Sequence, residues 1–204
     1  MSTRRIPLPL AGQEPVERAD AARNRRKILE AATRLVEANG AGSISLDEVA
    51  RAACVGVGTV YRRFGDRAGL VGALVDEREK QFQLAFIDGP PPLGPGAPPA
   101  ERLRAFLHGL LDHLSEQVDL FLLREKSAPT ARYGSGPFRL WHHHLVMLIG
   151  QIRPEADAHY LADALLAPLT PSLLDHQRRV SGFTTERIKA GLDQLIGWSR
   201  LTGG

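Results

Sequence analysis

From Asp20 onward the apolar positions recur every three or four residues. Ile28, Ala31, Ala32, Leu35 and Val36 make one face of a helix, with Arg23, Arg25, Arg26 and Lys27 clustered at its start. Asn39-Gly40 is a fitting stop, because both residues tolerate left-handed backbone angles. Ser45 then reads as an N-cap, with Glu48 three residues on to complete a capping box. The helix it opens turns Leu46, Val49, Ala50 and Ala53 inward. Cys54-Val55-Gly56 is a short turn, and Val57 to Phe64 a second short helix. Gly65-Asp66 closes that helix and opens a longer one to about Ala85, with Leu70, Leu74, Val75, Arg78 and Phe82 along one side.

Asp88 to Pro99 breaks the pattern. Six prolines and three glycines in those residues exclude helix and strand, which predicts a mobile or extended loop. Helical periodicity then resumes over Ala100–Ser115, Asp119–Ala128, Phe138–Ile152, Glu155–Leu166, Ser172–Val180 and Thr184–Leu201. The first carries Leu103, Phe106, Leu107, Leu110, Leu111 and Leu114. In the last, Thr184 or Thr185 is the cap and Ile188, Leu192, Leu195, Ile196 and Trp198 face inward. Pro168 and Pro171 interrupt the run. No alternating strand pattern occurs, so the expected fold is all-α. Residues 1–19 are expected to be a flexible tail, since Pro7, Pro9, Gly12 and Pro15 interrupt any helix. Residues 20–66 form the expected helix-turn-helix domain, and 67–204 a connecting helix with a ligand-binding and dimerisation domain.

Two short helices joined by a three- or four-residue turn are a helix-turn-helix arrangement. A recognition helix must lie in a major groove about 12 Å wide, with its N-terminal side chains at the base edges. Gly56, Gly58 and Thr59 are small enough to let the backbone approach. Tyr61, Arg62 and Arg63 supply a hydroxyl and two cations for phosphates or guanine. Val60 and Phe64 would turn inward, and Val55 would plug the turn.

The stretch Leu46-Asp-Glu-Val-Ala-Arg-Ala-Ala-Cys-Val-Gly-Val-Gly-Thr-Val-Tyr-Arg-Arg-Phe-Gly-Asp-Arg-Ala-Gly-Leu-Val resembles the N-terminal signature of the TetR family of transcriptional regulators. Arg26 to Gly40 is similar to that family's first helix, so the resemblance covers about Arg23 to Glu77. It implies a three-helix DNA-binding unit joined by a fourth helix to a helical ligand-binding and dimerisation domain. It also implies that Tyr61 and Arg67 hold phosphates, that Val57, Gly58, Thr59 and Arg63 face the groove, and that Ser45 caps the second helix near the DNA backbone. The departures are Cys54 where glycine is common, Gly56 where serine is common, and Arg67 where lysine is usual. Arginine is an acceptable phosphate partner.

Charge agrees with this division. Residues 1–80 carry 14 Lys and Arg against 11 Asp and Glu, so the whole net charge of +3 lies there and the remainder is neutral. No apolar run spans a bilayer and no signal-peptide stretch opens the chain, which points to a cytoplasmic protein with no membrane partner. A single cysteine, Cys54, excludes an intrachain disulfide and a thiolate zinc site. Arg4 and Arg5 could reach a minor groove, although a disordered end is the simpler account.

Cys54 in a turn beside DNA suits a redox sensor, while the simpler account is a small buried packing residue. His142-His143-His144 invites a metal, but consecutive helical residues point about 100° apart and cannot chelate one ion together. The expectation is one histidine facing a ligand cavity and the others exposed, with no metal and no cofactor. Trp141, Phe106, Phe121, Tyr133 and Tyr160 are core or pocket wall. The expected effector site comprises Phe106, Leu110, His113, Phe121, Trp141, His144, Leu145 and Leu148, whose character favours a hydrophobic or aromatic compound. No glycine-rich phosphate loop, nucleophile elbow or His-Glu-x-x-His is present, and an enzyme is not expected.

These readings combine into a homodimeric repressor. Its C-terminal helices would pair, its recognition helices would read a palindromic double-stranded DNA operator, and a small-molecule effector would release it. The alternatives are a metal- or redox-responsive regulator on the same scaffold, and a helical adaptor or enzyme that keeps the motif only for packing.

Overall fold

Helix α1, Val16–Asn39, begins inside the segment expected to be a tail. Its inward face is the predicted one: Ile28, Ala31 and Ala32 have no exposed surface, and Leu35 and Val36 are half-buried. The computed structural model describes residues 16–40, 42, 44–127 and 131–198. The chain divides into two compact units, Met1–Arg67 and Ala68–Gly204. Among the described residues there are helices and turns and no strand, as the all-α expectation required.

In the first unit α2, Leu46–Ala52, and α3, Val57–Phe64, follow α1. Leu46, Val49 and Ala50 of α2 and Val60 of α3 are buried, and α2 packs against both α1 and α3. Helix α3 ends at Gly65, whose φ of 76° is natural only without a Cβ, and whose N–H donates to the Tyr61 carbonyl at 2.8 Å.

The second unit holds α4, Arg67–Asp88; α5, Pro99–Glu116; α6, Val118–Ser127; α7, Ala131–Gly134; α8, Gly136–Ile152; α9, Ala158–Leu166; α10, Pro171–Asp175; and α11, Thr185–Trp198. Arg67 itself closes the first unit. A π-helical turn, His176–Val180, extends α10. Helix α5 is central. It packs on α8, α11, α10 and α6, and it buries the six apolar residues expected of it. Side-chain caps open the helices where the sequence supplies them: Ser135 for α8, Asp157 for α9, and Thr170 for α10. Thr184 Oγ1 accepts from the Arg187 N–H at 3.2 Å, which decides between the two candidate caps of α11.

Two expectations change. The proline-rich segment is neither extended nor an open loop but a closed series of turns. The Gly94 N–H donates to the Pro90 carbonyl at 3.0 Å, and the backbone passes so close to Gly89 that a Cβ at Gly94 would meet its carbonyl oxygen. Leu93 reaches over Gly109 of α5, so the segment is anchored to the helix that follows it. In α11, Ile188 and Leu192 are buried, but Leu195 is 51% exposed. The side chain of Trp198 and residues 199–204 lie outside the described residues, as do Arg4 and Arg5. Among the described residues, no helix is long and apolar enough to cross a membrane.

Candidate functional site

The first unit is held by local chemistry. Ser45 Oγ accepts from the Glu48 N–H at 3.2 Å and donates to Glu48 Oε2 at 3.1 Å, so the cap that opens α2 uses both hydrogen-bonding sides of that hydroxyl. Ala53 N–H donates to Val49 O at 2.9 Å, Cys54 N–H to Arg51 O at 3.2 Å, and Val55 N–H to Ala50 O at 3.0 Å, which knits the turn to the end of α2. Cys54 sits at its apex with φ of 53°, a left-handed conformation that explains why a glycine would be at home there. Its side chain is exposed, which overturns the reading of a buried packing residue. A turn apex aims its side chain at solvent, and the inward position is taken by Ala53.

Gly56 caps α3 without a side-chain hydrogen bond. The N–H groups of the first turn of α3 are thus uncapped by any side chain, and a helix N-terminus of this kind attracts phosphate. The outer face presents Val57, Gly58, Tyr61 and Arg62, all exposed, with Thr59 half-buried. Tyr61 is 48% exposed, and neither it nor Arg62 has a polar partner among the described residues. Val60 is wholly buried, with Phe64 and Val55 half-buried behind it.

Two of the expected cations are occupied. Arg63 donates from Nη1 to the carbonyl of Ala21 near the start of α1. Arg67 donates from Nη2 to the carbonyl of Gly42 at 2.7 Å, across the connection from α1 to α2. Each guanidinium carries five N–H donors, so these bonds orient the side chains without exhausting them. The sequence marks both as cations and gives no signal for either carbonyl partner.

In the second unit, the eight residues expected to contact an effector are placed in the core. Phe106, Leu110, Leu145 and Leu148 have no exposed surface, and Phe121, Trp141 and His144 are buried. His113 keeps a tenth of its side chain exposed. The rings of Phe106 and His144 are 4.9 Å apart, and those of His113 and Phe121 5.4 Å. Phe82 and Phe86 of α4 connect these two pairs. Glu79, also on α4, is buried and hydrogen-bonded to His113 at 2.9 Å. Periodicity pointed to Phe82, but nothing singled out Glu79 or Phe86.

Burial first, then the nearby charges of Arg102 and His143, pushes the His144 imidazolium down to a pKa of about 4. His144 is therefore neutral at pH 7. Its neighbours differ: His143 is exposed, and His142 Nε2 lies 3.3 Å from the His159 carbonyl and 3.5 Å from Asp163. Tyr133 and Tyr160 are exposed and form neither core nor buried pocket wall. A separate open groove of about 340 Å³ is lined by Leu103, Ile149, Ile152, Leu161 and Ile196 among others, and none of the eight expected residues borders it.

A short helix pair joined by a tight turn, with an exposed polar face on the second helix, defines the first unit as a helix-turn-helix domain. Residues 28–74 match the family model described as bacterial regulatory proteins, tetR family. A helix-turn-helix-type transcriptional regulator of Staphylococcus aureus is 40% identical over 69 residues, a match that spans 34% of this chain and 37% of that relative's length. Over this N-terminal stretch the chain is similar to regulators of the TetR family. Its overall fold is that of solved relatives. A transcriptional regulator from Rhodococcus sp. RHA1 superposes with a TM-score of 0.66 at 21% identity, over 85% of this chain and 94% of that one. A regulator from Pseudomonas aeruginosa PAO1 gives 0.62 at 18% identity, over 94% of each. These relatives are transcriptional regulators.

Proposed function

We propose that the protein is a cytoplasmic, homodimeric transcriptional repressor that binds a palindromic double-stranded DNA operator and is released by a small-molecule effector. The observation that carries this reading is the outer face of α3, where Val57, Gly58, Tyr61 and Arg62 stand exposed around an uncapped helix N-terminus. Small side chains at the start admit the backbone to the groove, and the tyrosine and arginine meet phosphates. Gly56, Thr59 and Arg63 border the same face, and Arg67 holds a phosphate while keeping its bond to Gly42. Ser45 contributes by fixing the start of α2, since its hydroxyl is engaged with Glu48.

Dimerisation runs through the C-terminal helices. The exposed Leu195 of α11, beside Ile196, gives that helix apolar surface for a second copy. The effector binds in the second unit among the buried aromatic residues. The family and fold findings do not favour the metal- or redox-responsive alternative.

The test is selection of genomic fragments by the purified full-length protein, with sequencing of what is retained. Enrichment of one palindrome, its half-sites about one helical turn apart, is the expected outcome. No enrichment at low salt, even after refolding free of bound compounds, would overturn the reading.

A further inference from the structure

Among the described residues, the buried side chains are apolar except for two, Glu79 and His144, which are 2% and 6% exposed. Glu79 follows Val75 by four residues and precedes Phe82 and Phe86 by three and seven, so it occupies the stripe that α4 turns inward. One carboxylate oxygen, Oε1, is hydrogen-bonded to His113 Nε2 at 2.9 Å. The other, Oε2, is buried without a partner. A carboxylate oxygen taken out of water with no donor is costly to keep, and cores rarely retain one.

Three phenyl rings, Phe82, Phe86 and Phe106, connect His113, the partner of this carboxylate, to the second polar residue. Phe82 lies flat on the His113 imidazole, with centroids 5.0 Å apart and planes inclined by 8°, and Phe121 meets the same ring edge-on at 5.4 Å. Phe82 in turn lies 5.4 Å from Phe86 and 5.6 Å from Phe106, and these two flank His144 at 4.7 and 4.9 Å.

At the His144 end the surplus is of nitrogen. His144 Nε2, Trp141 Nε1 and Arg102 Nε are all buried and unpartnered. Trp141 precedes His144 by one turn of α8, and Arg102 precedes Phe106 by one turn of α5. The charge of Arg102 is felt at His144. One end of the cluster therefore lacks a donor, at the other the Trp141 and Arg102 N–H groups lack an acceptor, and aromatic rings lie between.

We infer that the effector of this unit is a compact aromatic molecule with a protonated amine at one end and a hydrogen-bond acceptor at the other, the amine donating to Glu79 Oε2. The inference rests on the reading of the second unit as the effector-binding part. An ammonium suits a desolvated carboxylate whose imidazole partner is packed by phenyl rings, through a charge-assisted hydrogen bond and cation–π attraction. An anionic ligand would meet the like charge of Glu79. The acceptor, a carbonyl for instance, takes its hydrogen bond at the His144 end. Because the rings touch one another, the ligand enters by displacing Phe82 or Phe86, which couples binding to the packing of α4.

Three probes test this by calorimetry on the full-length protein. Methyl para-(aminomethyl)benzoate carries ring, amine and acceptor; methyl para-toluate lacks the amine; benzylamine lacks the acceptor. The first is expected to bind at least about tenfold more tightly than either of the others. In Glu79→Gln, which keeps the shape and one carbonyl acceptor, its advantage over methyl para-toluate should fall to about twofold or less. Binding of none of the three, equal binding of all three by the wild type, or an advantage that survives in Glu79→Gln would each overturn the inference. The wild-type comparison needs no variant to fold. Operator binding by the same preparations separates the two ideas, because its absence would count against the regulator reading and not against the ligand class.

Discussion

The two units treat polar side chains in opposite ways. In the first, the buried residues among those described are apolar and the chemistry is outside: Tyr61 and Arg62 are exposed, while Arg63 and Arg67 are steered by backbone carbonyls. In the second, a carboxylate and an imidazole lie inside the core. On the proposed function, the difference follows from what each unit would meet. A duplex arrives with its charges in water, and the groups that bind it need only be rigidly presented. A small molecule must be stripped of water to be recognised by few groups, so those groups are buried beforehand.

The sharpest way to break the contrast is to attack the packing that holds the polar pair in place. Phe106 has no exposed surface and touches Phe82, Phe86 and His144. Phe106→Ala should destabilise the second unit by about 3–5 kcal/mol. Both tryptophans, Trp141 and Trp198, lie in that unit, so urea unfolding followed by tryptophan fluorescence reports on it selectively. A loss below about 1 kcal/mol would mean that the cluster is not a packed core.

The buried imidazole gives the next largest effect. Unfolded, His144 takes up a proton near its ordinary pKa of about 6.5; folded, it does so only near 4. Between those values the unfolded state binds the extra proton, so stability is full above the upper value and falls as pH drops towards the lower one. The loss should reach on the order of 3 kcal/mol. His144→Phe removes that contribution, and its unfolding free energy should be flatter with pH than the wild type's over this window. Identical pH dependence of the two proteins would contradict the buried, neutral imidazole.

The same contrast decides what the sequence could reveal. Local rules suffice where the chain makes its own partners: Ser45 and Glu48 cap α2, Gly65 ends α3, and apolar spacing identifies the buried faces of α1 and α5. The helix-turn-helix is built almost wholly from such rules, and its outer face was legible with it. Partners distant in the chain were not legible. The reach of Arg63 to Ala21 spans 42 residues, and that of His113 to Glu79 spans 34. Glu79 had one available signal, an acid standing in an apolar stripe between Val75 and Phe82, and the spacing of its neighbours concealed it. The exposure of Cys54 follows from its left-handed backbone, a conformation that no periodicity encodes. Helix α1 starts at Val16, directly after Pro15, because a proline excludes the helix interior but not the residues that follow it.

The smallest expected effect tests the outer surface itself. Arg62 is exposed and has no polar partner among the described residues, so its removal should leave the fold intact. If it neutralises one phosphate, Arg62→Ala should lower the slope of log affinity against log salt by about one for each copy bound, and weaken binding to every DNA sequence alike. Tyr61→Phe should weaken binding with little change in that slope, because a neutral hydroxyl releases no counterion. The pair of variants separates charge from hydrogen bonding on one helix face. A loss at Arg62 confined to particular bases would instead make it a reader of the groove, and the exposed face of α3 would then carry specificity where the phosphate reading gives it only affinity.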